Sequence, residues 1–386
     1  MGKFSFVFVL GFVLMISMQN IAVVVAQSCP AAERDALLAF KAGITEDPSG
    51  QLTTWVATTD CCTWFGIFCK NGHVIHLDLR PADGSDNFGI RLTGPLGSSL
   101  FTLLELEVLD LSLMLNLTGP ISPAIGNLTN LVHLDFRANK LTGSIPSSVG
   151  NLKKLNWLSL GGNPITGSIP SSIGTIGASL NYIYLGESSL SGSLPNSLFQ
   201  LSNLTSLFLG VSNLSGSLSP LVGNLGPTLT VLDLSVNSFS GALPSTLGEL
   251  TKVFLLDLSF NKFTGQIPAS IGNIGATLFN LELANNELTG VIPPMFAKQL
   301  TGLAALGLEN NKLTGPIPQA IGNLTNLVHL DFRTNKLTGP IPSSVGNLKK
   351  LNWLSLGGNP ISGSIPFSIG TIGASLNYIY LGESSL

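Results

Sequence analysis

The sequence predicts an α/β repeat solenoid in which short strands stack into one parallel sheet behind a disulfide-stapled cap. Three observations carry this reading. From about His73 onward the chain repeats every 24 or 25 residues. Gly contributes 43 and Pro 22 of 386 residues while only 10% are charged, a composition suited to a repeated strand-and-turn unit rather than to two or three globular domains. All four cysteines fall between residues 29 and 69.

The first 26 residues carry a positive charge at Lys3, an apolar run over residues 4 to about 18, and a small-residue stretch at 22–26. This pattern predicts a secretory signal peptide, residues 1–26, cleaved near Ala26. An uncleaved anchor is the alternative, because the apolar run resumes at Ile21 and approaches spanning length. No later segment is continuously apolar for half that length, so no membrane span is expected in the mature chain. The mean hydropathy of +0.43 then reflects the signal and a Leu-rich core.

Cys29, Cys61, Cys62 and Cys69 form an even, clustered set, which in a secreted chain argues for disulfides rather than a metal site. Four cysteines allow three connectivities. A bond between the neighbours Cys61 and Cys62 is strained; the pairing expected is Cys29 with Cys61 and Cys62 with Cys69. Only His73 and His76 lie near enough to serve a zinc alternative, and neither metal nor cofactor is expected.

Each part of the repeat has a physical task. One turn places Leu131, Leu134 and Phe136 inward from a short strand, with His133, Asp135 and Arg137 alternating outward, as the two-residue period of a strand requires. Asn139 and its equivalents Asn163, Asn237, Asn261, Asn286, Asn311, Asn335 and Asn359 sit where the chain leaves the strand. A buried amide survives there only by bonding backbone groups of adjacent turns, so its role is structural. Gly143 and its equivalents permit a backbone conformation costly for other residues, and the Ile-Pro that follows fixes an extended return path. About twelve turns and a partial last one fill residues 73–386.

The unit L-x-x-L-x-L-x-x-N-x-L-(T/S)-G-x-I-P resembles the plant-specific class of extracellular leucine-rich repeats. Ahead of it, the ERDALLAFK run at 33–41, Trp55 and the CCTWFGIFC run at 61–69 resemble the N-terminal cap of that class, here residues 27–72. The cap occurs in receptor-like kinases, receptor-like proteins and secreted polygalacturonase-inhibiting proteins. The resemblance implies a curved right-handed superhelix with a concave parallel sheet and a second, smaller sheet after the glycine. It implies recognition of an extracellular peptide or protein ligand in defence or development, in the cell wall or apoplast or, on an anchored protein, at the plasma membrane with a membrane co-receptor. Inhibition of a secreted cell-wall hydrolase such as polygalacturonase is the runner-up. A structural or ice-associated surface built on Thr142, Thr166, Ser191, Ser215, Ser240 and Thr264 is a remote third reading.

The pattern has departures. Ser188 and Ser212 replace the ladder Asn, residues 113–116 hold one extra residue, and residues 81–91 insert a polar loop. Residues 124–190 recur as 320–386 with four changes, Ala138 to Thr334, Ser144 to Pro340, Thr166 to Ser362 and Ser171 to Phe367. The sequence ends in mid-turn without a C-terminal cap, which suggests a truncated copy or fragment.

A net charge of -3 and pI near 5.8 supply no basic surface for nucleic acid. No G-x-S-x-G elbow, phosphate-binding loop or H-E-x-x-H motif occurs, and the four histidines are His73, His76, His133 and His329. No catalytic residue, and no enzyme activity, is expected. Sequons at Asn116, Asn127, Asn203, Asn213 and Asn323 are candidate glycan sites, with Asn127, Asn203 and Asn323 at junctions away from the sheet. The candidate ligand-binding residues are the outward strand positions His133, Asp135, Arg137, Trp157, Tyr182, Tyr184, Phe208, Asp233, Asp257 and Glu282. Large aromatics exposed on a rigid sheet are typical hot spots; the alternative is that they merely support the sheet.

Overall fold

The computed structural model describes residues 28–80 and 92–383. The expected signal peptide, the inserted loop at 81–91 and residues 384–386 lie outside the described residues. Among those described, no helix is long and apolar enough to cross a membrane.

The cap begins with helix Ala31–Gly43, whose buried Ala36, Leu37 and Phe40 fall on one face at helical spacing. Glu33 in its first turn and Lys41 in its last both oppose the helix dipole. Lys41 Nζ also donates to the carbonyls of Leu52 and Trp55 at 2.7 and 2.8 Å, tying the helix to the next segment. Trp55 is buried and stacks on Trp64 with ring centroids 5.5 Å apart. Disulfides join Cys29 to Cys61 and Cys62 to Cys69, the expected pairing. Asp60 organises both, since its Oδ1 accepts from the backbone N–H of Cys29 and of Cys62.

From the cap a sheet of 14 strands runs the length of the molecule. Its first pair, Ile67–Lys70 and His73–Asp78, is an antiparallel hairpin turned by Asn71 and Gly72, both at positive φ as a tight hairpin turn requires. Every later strand is three residues long and parallel to its neighbours, with equivalent positions of successive turns side by side. Asp135 pairs with Ser159, Ser159 with Tyr184, Tyr184 with Phe208, Phe208 with Asp233, Asp233 with Asp257 and Asp257 with Glu282.

The return path differs in two respects from the arrangement the resemblance implies. The second sheet runs through the glycine instead of following it, as in Asn163–Gly167, and it is split into an eight-stranded and a three-stranded piece. The convex side is built from 3-10 turns such as Ser147–Asn151; beyond the cap, the one α-helix among the described residues is the four-residue Phe296–Gln299. A proline before or at the start of most of these turns fixes an extended entry, and only a few residues remain before the next core leucine, too short a path for an α-helix. Glycine at the end of the turn lets successive turns approach: a Cβ on Gly150 would lie 2.6 Å from the Ser172 carbonyl oxygen.

The turns are held together by the asparagine ladder. Asn261 is buried, and its Nδ2 donates to the carbonyls of Leu234, Leu258 and Ser259 at 2.9, 3.2 and 3.0 Å. Its Oδ1 accepts the Phe239 N–H at 2.9 Å, so one amide bridges two turns. Where the ladder is broken, the hydroxyls of Ser188 and Ser212 bond each other at 3.0 Å. At residues 113–116, the extra residue is absorbed by two left-handed residues, Leu113 and Leu115, where most turns have one. Replacing Asn261 with Ala strands a buried carbonyl and N–H, which costs about 1–3 kcal/mol per unsatisfied group. The urea midpoint of N261A is expected to fall accordingly; an unchanged midpoint would mean that the ladder carries no stability at this turn.

Candidate binding site on the concave sheet

The strand register turns outward positions into columns. In the column before the central leucine, His133, Trp157 and Tyr182 occupy three adjacent strands. Their rings form a ladder, His133 to Trp157 at 5.5 Å and 17° and Trp157 to Tyr182 at 3.6 Å and 5°. Phe208 lies 5.7 Å from Tyr182 and meets Tyr184 edge-on at 6.3 Å, which extends the patch into the column after the leucine. The repeated segment rebuilds the ladder with His329, Trp353 and Tyr378 at 5.5 and 3.6 Å. All ten residues singled out from the sequence line this face or its edge, and all but one are at least partly exposed.

The exception is Asp135, which is 2% exposed. Its carboxylate turns back to accept the Arg137 N–H at 3.0 Å and lies 3.5 Å from the Arg137 guanidinium. Asp135 therefore positions Arg137 and presents little of itself to a ligand. Burial pushes its carboxyl above the usual range, and the neighbouring Asp110 adds to the rise. Asp110, which the sequence reading passed over, is fully buried and accepts from His133 Nε2 and Arg80 Nε, both at 3.1 Å. Burial pushes its carboxyl up as well, but bonds from His133 and Ser112 with the Arg80 charge outweigh this and hold it low.

Asp110, His133 and Asp135 bring possible metal-ligating atoms within 4.8 Å of one another. Counter-charge is already present there, since Arg80 lies on Asp110 and Arg137 on Asp135. The sulfurs of the second such cluster, at Cys29, Cys61 and Cys62, are committed to disulfides and offer no thiolate.

Further along the sheet the acids are arranged differently. Asp233 and Asp257 accept from the N–H and hydroxyl of Ser235 and Ser259 at 2.6 to 2.9 Å. Glu282 lies over Gly307, occupying space that a side chain at 307 would claim, and so approaches Glu309. Burial first, then the Glu309 and Asp257 charges, push the Glu282 carboxyl up to about 8. Glu309 was not anticipated, nor were the exposed Phe254 and Phe279, whose rings stack at 4.8 Å along one edge of the face. The signal for the two phenylalanines was present in the sequence, at the position directly after the first core residue of the unit, Val253 and Leu278.

Of the sequons, Asn127, Asn203, Asn213 and Asn323 are exposed, while Asn116 lies half-buried in strand Asn116–Pro120 with Nδ2 3.4 Å from Thr93 Oγ1.

Comparison with known proteins finds the leucine rich repeat N-terminal domain family at residues 30–70. Two leucine rich repeat families match residues 301–361 and residues 130–152, 154–176, 228–250, 253–274 and 277–299. The chain is 40% identical over 116 residues to Receptor-like protein EIX2 of Solanum lycopersicum, covering 29% of this chain and 11% of that protein. It is 34% identical over 125 residues to the DNA damage-repair/toleration protein DRT100 of Arabidopsis thaliana, covering 30% and 34%. The chain thus matches between a tenth and a third of the length of these curated relatives. Among solved structures, the PEPR1–AtPEP1 complex aligns with a TM-score of 0.78 at 31% identity, over 92% of this chain and 52% of that one. The Arabidopsis HAESA ectodomain, in complex with an N-terminally extended IDA peptide hormone, aligns with a TM-score of 0.69 at 31% identity, over 91% and 61%. A plant ice-binding protein, at 24% identity and a TM-score of 0.58, shares the fold.

The raised Glu282 carboxyl makes stability depend on pH. Below its ordinary value of 4.5 the group is protonated in both folded and unfolded chains and contributes nothing. Between 4.5 and about 8 the unfolded chain releases this proton more readily, so the fold loses stability as pH rises through that window. Glu282→Gln removes the penalty. Its thermal midpoint is expected to match the parent near pH 4 and to exceed it increasingly up to pH 8; a constant difference across that range would overturn the assignment.

Proposed function

The chain belongs to the plant-type extracellular leucine-rich-repeat proteins, and from that premise we propose that its concave sheet recognises an extracellular peptide or protein ligand in defence or developmental signalling. The observation that carries the proposal is the ring patch of His133, Trp157, Tyr182, Tyr184 and Phe208, set on strands whose register is fixed from both sides. Rings already ordered by their neighbours lose little freedom on binding, so their burial goes largely into affinity. Arg137, held by the buried Asp135, adds a fixed cation beside them. Solved structures similar over nine-tenths of this chain are named as complexes with AtPEP1 and with the IDA peptide hormone, which supports a peptide-sized ligand. The proposal includes secretion, with glycans on the exposed Asn127, Asn203, Asn213 and Asn323.

The test is binding of apoplastic wash-fluid fractions to the immobilised chain, read by biolayer interferometry. Trp157→Ala and Tyr184→Ala are each expected to weaken the bound fraction at least tenfold, about 1.4 kcal/mol, with the circular dichroism spectrum unchanged. Ser147→Ala and Ser171→Ala, at exposed convex positions, are expected to change nothing. Loss of binding in the convex pair with retention in the concave pair would place the site on the other face.

A further inference from the structure

The same sheet carries a second surface, farther from the cap than the ring patch, that the patch does not explain. At the position where each turn leaves the strand, the backbone is left-handed. Gly162, Gly358, Asn285 and Asn310, residues that tolerate this conformation, occupy it in four turns, and Ala138, Glu187 and Thr334 in three more. In three successive turns it holds Val211, Val236 and Phe260, at φ of 59°, 51° and 52°. β-branched and bulky residues are strained there. The conformation is imposed by the solenoid, because each N–H donates to the following turn, to the carbonyls of Ser235, Ser259 and Ala284 at 2.9 to 3.0 Å. Yet these side chains cover no core. Val211 is 50%, Val236 43% and Phe260 54% exposed. Neither packing nor local backbone preference accounts for three apolar side chains in a row at this site.

A matching apolar border lies across the face. Phe254 and Phe279 are nearly half exposed and stack on each other, with Val231 and Leu255 half-buried beside them. Between the two borders run Asp233, Asp257 and Glu282 in one register column; the next member is Gly307, with Glu309 two residues beyond it. Nearer the cap, the acids of the same column are paired: Arg80 lies 2.7 Å from Asp78 and 3.1 Å from Asp110, and Arg137 lies 3.5 Å from Asp135. Among the described residues, no cation is ion-paired with Asp233, Asp257, Glu282 or Glu309, and Arg333 is committed to Asp331 at 3.3 Å. One carboxylate oxygen of Glu309 is buried without a hydrogen-bond partner.

We propose that the sheet face from strand Val231–Asp233 to strand His329–Asp331 docks a basic segment of a partner protein whose own apolar side chains rest on the two borders. This deepens the concave-face reading and rests on it. Charge complementarity selects the occupant. A lysine or arginine brought within about 4–6 Å of Asp233, Asp257 and Glu282 supplies the counter-charge that they lack in the free chain, whereas an acidic segment adds a like charge to a column already crowded with them. Strands about 4.8 Å apart place the column over roughly 19 Å, the length of about six extended residues. A segment of about that length, with lysine or arginine side chains over the acids and apolar side chains reaching to either side, matches an acid column bordered by apolar rows.

The test uses the whole mature chain and a fluorescein-labelled synthetic hexapeptide, Leu-Lys-Leu-Lys-Leu-Lys, with the Lys-to-Glu version as control, read by fluorescence anisotropy. The basic probe is expected to bind and the acidic one not. The double variant Asp257→Asn with Glu282→Gln, and separately Phe254→Ser with Phe260→Ser, are each expected to weaken the probe at least tenfold. Glu249→Gln with Glu287→Gln, which removes two exposed acids elsewhere, is expected to change affinity less than twofold. Equal weakening by the remote pair would reduce the effect to general attraction by an acidic protein and overturn the proposal. So would an unaffected Phe254→Ser, Phe260→Ser variant. Light scattering that shows a dimer abolished by that variant would instead assign the borders to a second copy of this chain. The probe and wash-fluid assays fail separately: a chain that binds wash fluid through Trp157 but ignores the probe sinks this proposal alone.

Discussion

A single side-chain amide decides how far apart two turns can lie. Each ladder asparagine donates to a carbonyl in its own turn and to one in the turn before, and most accept an N–H from that earlier turn as well. No turn could bury its leucines alone, and the amide closes the polar gap that stacking would otherwise leave in a dry core. Strand spacing, the tight convex turns and the alignment of outward columns are all consistent with satisfying that one group wherever a turn carries it, and Ser188 and Ser212 bond each other where two turns do not.

Once columns are fixed, side chains at equivalent positions meet whether or not their chemistry suits them. Flat rings gain from this, which is why Trp157 and Tyr182 approach to 3.6 Å. Carboxylates do not gain. Asp78, Asp110 and Asp135 sit in one column and are relieved by Arg80 and Arg137. Asp257 and Glu282 have no such neighbour; burial raises both carboxyls, and the charges of Asp233 at Asp257 and of Glu309 and Asp257 at Glu282 add to the rise. The scaffold thus converts a choice of residue at one repeat position into a field along a whole face.

Much of this was legible in the sequence because the period is nearly constant. A repeat of 24 or 25 residues assigns Trp157, Tyr182 and Asp233 to outward positions without any coordinates, and the adjacency of Cys61 and Cys62 narrows the disulfide pairing. What depends on side-chain direction was not legible. Asp135 and Asp233 occupy the same repeat position, yet Asp135 is buried and Asp233 is not, because Arg137 lies over one and Ser235 beside the other. The exposed borders were missed for a related reason: alternation counts two outward residues per strand, whereas Phe254 and Phe260 lie just beyond its ends, where the chain enters and leaves the sheet. The convex 3-10 turns escaped because the repeat pattern gives the length of the return path but not its winding.

The duplicated segment separates what a turn encodes from what it receives. None of the four differences between residues 124–190 and 320–386 falls on an outward position within a concave strand, and the two ring ladders have nearly the same spacings. Their surroundings differ by the preceding strand. His133 faces a turn that ends in Asp110 and is hydrogen-bonded to it at 3.1 Å, whereas His329 faces the turn that ends in Gly307. Burial pushes the His329 imidazole below its ordinary value, and Asp331 offsets this only in part. The ring geometry is therefore a property of the segment, and the charge at the end of each ladder is a property of its neighbour. In a solenoid, where every turn touches only the two beside it, changing one residue in a preceding turn is enough to change the charge of a recognition surface while leaving its shape intact.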